Sequence, residues 1–107
     1  MALPRRFELV YAPIVKTHLN WIEPKYYSLT AEAIEAQLRF EPDVETRNRK
    51  PLRRPVIYGV QWEMRLGPDN HFRAFYRVNR QVYQVEILAI GVKRGSRLLI
   101  GGEEIET

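Results

Sequence analysis

The chain has 107 residues, of which 17 are lysine or arginine and 13 are aspartate or glutamate, so its formal net charge is +4. This length is typical of a single domain with one core, and the basic balance favours nucleic acid or an acidic protein as a partner. Cysteine is absent, which excludes disulfides, thiolate metal sites and cysteine nucleophiles and is typical of the reducing cytoplasm.

The first half of the chain predicts one strand and two helices. Residues Arg6 to Ala12 alternate apolar and polar side chains, as a half-buried strand does. A first helix is predicted from Pro13 to Glu23, and a second begins at Ser28 or Thr30 and is closed by Pro42. No apolar stretch approaches the roughly 20 residues that span a bilayer, so we expect no membrane partner.

A polar loop with several prolines is predicted from Pro42 to Pro55. Within it, residues 47–54 carry five positive charges and no negative one, on Arg47, Arg49, Lys50, Arg53 and Arg54. Such a cluster is either a solvated loop that keeps a small protein soluble or a surface that contacts phosphates.

The second half predicts a three-stranded antiparallel meander. Its strands run from Tyr58 to Leu66, from Phe72 to Asn79 and from Val82 to Val92, with turn residues between them. Residues 96–107 form a C-terminal tail that is flexible or docks as a short helix or strand. The predicted fold is therefore α+β: strand, helix and helix followed by the meander, with the helices packed on one sheet face, in a single domain spanning residues 1–107.

Two arginines, Arg65 and Arg73, fall on the polar face of the first predicted hairpin. Two registers keep its apolar residues together on the other face. With a five-residue turn, Arg65 lies directly opposite Arg73, which is unfavourable unless an anion binds between them. With a three-residue turn, Glu63 lies opposite Arg73 in an ordinary surface ion pair. The sequence leaves both registers open.

Several other side chains are candidates for a site. Lys93 and Arg94 end the third strand near the same face, and Phe75 points to that face, where a base could stack on it or a loop could cover it. The two histidines, His18 and His71, are far apart and have no supporting cysteines, so we expect no zinc site.

Five segments together carry a resemblance to a known family. They are residues 7–11 (FELVY), 45–52 (ETRNRKPL), 62–67 (WEMRLG), 72–76 (FRAFY) and 88–93 (LAIGVK). The pattern, spread over residues 7–102, resembles the RelE/ParE superfamily, the toxins of bacterial and archaeal type II toxin–antitoxin modules. RelE-like members cleave mRNA in the ribosomal A site, whereas ParE-like members poison DNA gyrase.

The resemblance implies a small sheet with helices on one face and no metal or cofactor. It also implies a cytoplasmic toxin whose partners are a cognate antitoxin, ribosome-bound mRNA and rRNA. Arg73 matches the arginine with which RelE-like toxins hold the scissile phosphate, and Arg65 matches a basic position on the preceding strand. Lys93 or Arg94 matches the basic residue after the glycine of the last strand.

Proton transfer in such a toxin would fall to Glu63, Lys93 or His71, among which the sequence does not choose. The cations of the 47–54 loop, together with Arg94 and Phe75, are the candidates for RNA binding.

Two features of RelE-like toxins are missing from this chain. The lysines of their first meander strand fall here at Gln61 and Glu63, and the tyrosine of their C-terminal segment falls among Leu98, Leu99 and Ile100. Three functions therefore stay open: a ribosome-dependent mRNA endoribonuclease, a ParE-like gyrase inhibitor that cuts no RNA, and a degenerate member that only binds its antitoxin.

Overall fold

The computed structural model describes residues 5–54 and 59–105, so the predicted strand start at Tyr58 and the last two residues of the predicted tail lie outside the described residues. In chain order, the elements are β1 (Glu8–Tyr11), α1 (Val15–Leu19), a 3₁₀ helix (Pro24–Tyr26), α2 (Tyr27–Leu38), β2 (Arg49–Pro51), β3 (Trp62–Leu66), a second 3₁₀ helix (Pro68–Asn70), β4 (Phe72–Asn79), β5 (Gln84–Arg94), β6 (Arg97–Ile100) and β7 (Glu103–Ile105).

The strands of these two ranges form one seven-stranded sheet. Its order is β2-β3-β4-β5-β6-β7 with antiparallel neighbours throughout, while β1 pairs with β5 in parallel off this path. The predicted α+β fold with a three-stranded meander is therefore wrong. Strands β2, β6 and β7 extend the predicted meander on both sides, and among the described helices only α2, with 12 residues, is longer than one or two turns.

The additional strands at the C-terminal end follow from a tight turn and from space on the sheet. Gly95 has a positive φ of 63°, a conformation that glycine adopts without strain, and the chain reverses there to pair Leu98 with Lys93 and Ile100 with Gly91. A Cβ atom on Gly91 would lie 2.9 Å from Cδ1 of Leu98. The absence of a side chain at Gly91 thus makes room for the apolar residues of β6.

Helix α1 is shorter than the predicted span of residues 13–23 and is anchored to the sheet through His18. This side chain is buried, and its Nδ1 accepts a hydrogen bond of 3.2 Å from the backbone N–H of Ile90 on β5. Helix α2 starts directly after the first 3₁₀ helix without a side-chain cap. Its buried residues are Thr30, Ile34 and Leu38.

Apolar side chains form a cluster on each face of the sheet. The larger cluster joins both α-helices to the sheet and includes Ile34 of α2 and Tyr76 of β4. The smaller cluster consists of Val60, Phe75, Ala89, Leu98 and Ile100. Side chains alternate along β4, so Phe75 and Tyr76 point to opposite faces. A β-bulge beside them leaves Leu88 of β5 without a partner, so Ile87 and Ile90, on either side of the bulge, both belong to the larger cluster. The face opposite the helices therefore also carries buried apolar side chains.

Candidate functional site

The β3–β4 hairpin adopts the register with the five-residue turn. Leu66 pairs with Phe72, and Arg65 therefore lies directly opposite Arg73. Side chains opposite each other in an antiparallel pair point to the same face of the sheet. The two arginines thus share the face opposite the α-helices, and the pKa of the Arg73 guanidinium is lowered mainly by burial and further by the positive charge of Arg65.

The ion pair expected from the alternative register is present as well. Nε of Arg73 donates a hydrogen bond of 3.1 Å to Oε1 of Glu63, which lies diagonally across the hairpin. Nη1 of Arg73 donates to the backbone oxygens of Asn70 and Phe72. With 8% of its surface exposed, Arg73 is a buried cation held by a carboxylate and by the hairpin turn.

A second cation reaches Glu63 from the other side. Lys50 on β2 lies directly opposite Glu63 in the sheet, and its Nζ is 3.6 Å from Oε2 of that carboxylate. The side chain of Glu63 is only 14% exposed, whereas that of Lys50 is 53% exposed. Glu63 therefore joins a buried guanidinium to a half-exposed ammonium group across three neighbouring strands.

Lys50, Glu63 and Arg65 border a cleft of about 180 Å³ beside β2 and β3, whereas Arg73 is not one of its lining residues. Its lining residues are Glu45, Thr46, Arg47, Asn48, Arg49, Lys50, Glu63 and Arg65. The turn before β2 is stabilised by the Thr46 hydroxyl, which accepts hydrogen bonds from the backbone N–H groups of Asn48 and Arg49. The four cations and two carboxylates in the lining make the cleft positive, which suits an anionic ligand.

The predicted RNA-binding cations of this loop fall into two groups. Arg47, Arg53 and Arg54 are exposed and form no ion pair with any residue of the ranges 5–54 and 59–105. Arg49 is buried, and its Nη1 donates to the backbone oxygen of Gln37 in the last turn of α2. A cation at this end of a helix compensates its free carbonyl groups, so Arg49 connects the basic loop to α2.

The remaining predicted residues lie farther from the cleft. Phe75 is fully buried in the smaller apolar cluster, where no base can stack on it. Lys93 comes two residues after Gly91, the partner of Arg73, and so shares the arginine face, with its Nζ 3.4 Å from the oxygen of Ser96. Arg94 points to the opposite face, where it lines a small cavity beside α1.

Neither histidine belongs to the cleft lining. His71 is exposed in the β3–β4 turn, and its backbone oxygen accepts a hydrogen bond from the N–H of Lys93 on β5. The described residues contain no group of three or more His, Cys, Asp or Glu side chains that could hold a metal ion. Over the same residues, no helix has both the length and the hydrophobicity needed to cross a bilayer.

Sequence reasoning missed the partnership of Lys50 with Glu63. The short strand β2 lies inside a segment with three prolines between residues 42 and 55, which predicted a loop. The only sequence signal was the position of Lys50 within the basic cluster, which pointed to phosphate binding and not to a carboxylate. The pairing of Arg77 with Glu86 was missed too, although these residues also lie opposite each other in the sheet.

The fold and this site together define a small protein built on a mostly antiparallel seven-stranded sheet, with a cationic cleft on one sheet face. Among solved structures, the chain is similar to one in the crystal structure of the toxin–antitoxin complex RelBE2 from Mycobacterium tuberculosis. The TM-score is 0.63, with 24% sequence identity over 82% of this chain and 99% of that chain.

No family profile matches the sequence. No curated protein matches it either. The likeness to RelBE2 establishes the fold, so the resemblance that the sequence indicated is confirmed at the level of the fold.

Proposed function

We propose that this protein is the toxin of a type II toxin–antitoxin module and acts as a ribosome-dependent mRNA endoribonuclease that inhibits translation. The observation that carries the proposal is the convergence of Arg65 and Lys50 on one cleft, around the carboxylate that holds Arg73. The shared fold with a chain of a toxin–antitoxin complex supports the broader assignment as a toxin.

The proposed chemistry is attack of a ribose 2′-hydroxyl on the adjacent phosphate of the mRNA. Negative charge builds up on the non-bridging oxygens in the transition state, and fixed cations in a partly dry site stabilise it. Arg65 is exposed at the cleft and available to a phosphate. Arg73 lies opposite it, and its Nη2 has no hydrogen-bond partner among residues 5–54 and 59–105, which leaves that group for the ligand.

The proposed partners follow from the charge of this surface. Arg47, Arg53 and Arg54 would bind the backbone of mRNA or rRNA without reading its sequence, so binding would weaken steeply as salt is added. A cognate antitoxin that neutralises the toxin would be acidic and would cover the basic face with a helix or a strand.

A primer-extension assay on an mRNA translated in a purified system tests the proposal. We expect codon-dependent cuts by the wild-type protein, and the Arg65→Ala variant should cut roughly 100-fold more slowly. Arg77→Ala is the control, because Arg77 is also an arginine of a central strand but pairs with Glu86 and lies outside the cleft. Intact mRNA with the wild-type protein would overturn the endoribonuclease assignment.

A second candidate function is that of a ParE-like gyrase inhibitor that cuts no RNA. The burial of Arg73 favours it, since most donors of this guanidinium are taken by Glu63 and by backbone oxygens. Inhibited DNA supercoiling with intact mRNA would support this function. Absence of both effects, with binding to the antitoxin retained, would indicate a degenerate member.

A further inference from the structure

Lys50 combines three properties that no other residue of the cleft shares. Its side chain is half-exposed, its ammonium group is 3.6 Å from a largely buried carboxylate, and that carboxylate is itself fixed by Arg73. The position of the ammonium group is thus set by two neighbouring strands and by an ion pair, not by a mobile loop.

Among the cations that line the cleft, Lys50 is the one whose ammonium group can act as a proton donor next to a bound phosphate. The other lining cations are the guanidinium groups of Arg47, Arg49 and Arg65, and a guanidinium is too weak an acid for this role. Lys93 and His71, the sequence-based candidates, do not line the cleft. Both oxygens of Glu63 are already engaged, Oε1 by a hydrogen bond from Arg73 and Oε2 by the ion pair with Lys50.

We propose that Lys50 is the general acid of the reaction and that Glu63 is its positioning residue. This inference rests on the proposed endoribonuclease function. The 2′-oxygen forms a bond to phosphorus while the bond from phosphorus to the 5′-oxygen breaks, which yields a 2′,3′-cyclic phosphate. The proton of the 2′-hydroxyl passes to a water molecule in the cleft, Nζ of Lys50 gives a proton to the departing 5′-oxygen, and solvent water then returns one to Nζ.

The geometry also explains how this chain dispenses with lysines on β3. The lysine positions of the first meander strand in RelE-like toxins correspond to Gln61 and Glu63 here. In the structure, Lys50 on the adjacent strand β2 lies opposite Glu63 and supplies an ammonium group beside that position. The carboxylate on β3 then serves to hold the lysine, and the cationic group is retained in the site.

The test uses ribosomes programmed with a synthetic mRNA that carries either the natural 5′-oxygen or a 5′-sulfur at the cleavage site. Sulfur departs without protonation, so a defect in the general acid should disappear on the sulfur substrate. We expect Lys50→Ala to cut the oxygen substrate roughly 100- to 1,000-fold more slowly than wild type and the sulfur substrate less than about 10-fold more slowly.

Two further variants complete the experiment. Lys50→Arg keeps the positive charge but cannot give up its proton, so we expect the same loss on the oxygen substrate and the same recovery with sulfur. Lys25→Ala is the matched control, since Lys25 is an exposed lysine 3.3 Å from the carboxylate of Glu23 and lies outside the cleft. It should cleave both substrates at the wild-type rate.

The outcomes separate this inference from the function on which it rests. Equal slowing of Lys50→Ala on both substrates would show that Lys50 binds the RNA and does not donate a proton. Wild-type rates for Lys50→Ala or Lys50→Arg on the oxygen substrate would likewise overturn the inference, with the endoribonuclease intact. Failure of the wild-type protein to cleave either substrate would remove the proposed function and the inference with it.

Discussion

The carboxylate of Glu63 lies diagonally across the β3–β4 hairpin from Arg73, with 3.1 Å between Oε1 and Nε, while Arg65 faces Arg73 directly. Two like charges opposite each other in a sheet are unfavourable, and the diagonal carboxylate offsets this repulsion. It also keeps one arginine fixed and buried while the other stays exposed at the cleft. This arrangement combines a rigid support with an accessible anion-binding group.

Removal of Arg73 should be costly for stability. The Arg73→Ala variant leaves Glu63 without its closest partner in a largely buried place, and loss of one partner of a buried ion pair costs about 3 kcal/mol. Denaturant unfolding measures the change in the free energy of unfolding. The control is Arg77→Ala, whose pair with Glu86 is considerably more exposed and should cost less than about 1 kcal/mol. Equal losses for the two variants would contradict this account.

The buried hydroxyl of Tyr76 should contribute measurably to the attachment of the loop that leads to β2. It donates a hydrogen bond of 2.6 Å to the backbone oxygen of Pro42, and burial raises the pKa of this phenol. Tyr76→Phe leaves that oxygen unpaired, which should lower the free energy of unfolding by about 1–2 kcal/mol. Tyr27→Phe removes an exposed hydrogen bond to Leu19 and should cost less. The opposite ranking in denaturant unfolding would refute the prediction.

Stability should fall as the solution is acidified through the range in which free histidine titrates. Burial lowers the pKa of His18 below its usual 6.5, and its neutral Nδ1 accepts the N–H of Ile90. Between these two pKa values the unfolded chain binds more protons than the folded one, so stability increases with pH. The contribution of His18 is complete above the unfolded value and declines as pH falls below it.

Thermal unfolding measured between about pH 7.5 and pH 5.5 checks this dependence. His18→Asn retains an acceptor but cannot titrate, so its melting temperature should change less with pH over this interval than that of wild type. His71→Asn, a change at an exposed turn residue, should keep the wild-type slope. An unchanged slope in His18→Asn would assign the pH dependence to another group.

A side chain at Gly102 should displace Trp21 and strain the turn between β6 and β7. A Cβ atom there would lie 2.5 Å from Cζ2 of Trp21, and the φ of 81° is strained for any other residue, so Gly102→Ala should cost about 2 kcal/mol or more. Gly95→Ala tests the cost of the positive φ alone, because a Cβ atom on Gly95 would meet no other atom within 4 Å. This variant should lose about 1 kcal/mol of stability. Tryptophan fluorescence, followed through denaturant unfolding, measures both. A smaller loss at Gly102 than at Gly95 would contradict the predicted contact.

Much of the local organisation could be read from the chain itself. The strict alternation around Arg65 and Arg73 identified the shared face, because a strand repeats every two residues whatever lies around it. The same alternation limited the hairpin to two registers, and the segments that resemble the RelE/ParE superfamily pointed to the structural likeness with a chain of the RelBE2 complex. These features depend on residues that are close together in the sequence, and the local geometry of a strand fixes how such residues are spaced.

Only the tertiary structure decided which candidate cations meet. Lys50 reaches Glu63 because the proline-containing loop forms a short strand, and Arg49 is buried because it contacts the end of α2. Phe75 is buried in a cluster with Leu98 and Ile100 of β6, whose pairing the sequence left undetermined between a flexible and a docked tail. The physical reason is common to the three cases: burial and cross-strand pairing depend on segments far apart in sequence, so composition and periodicity within each segment do not determine them.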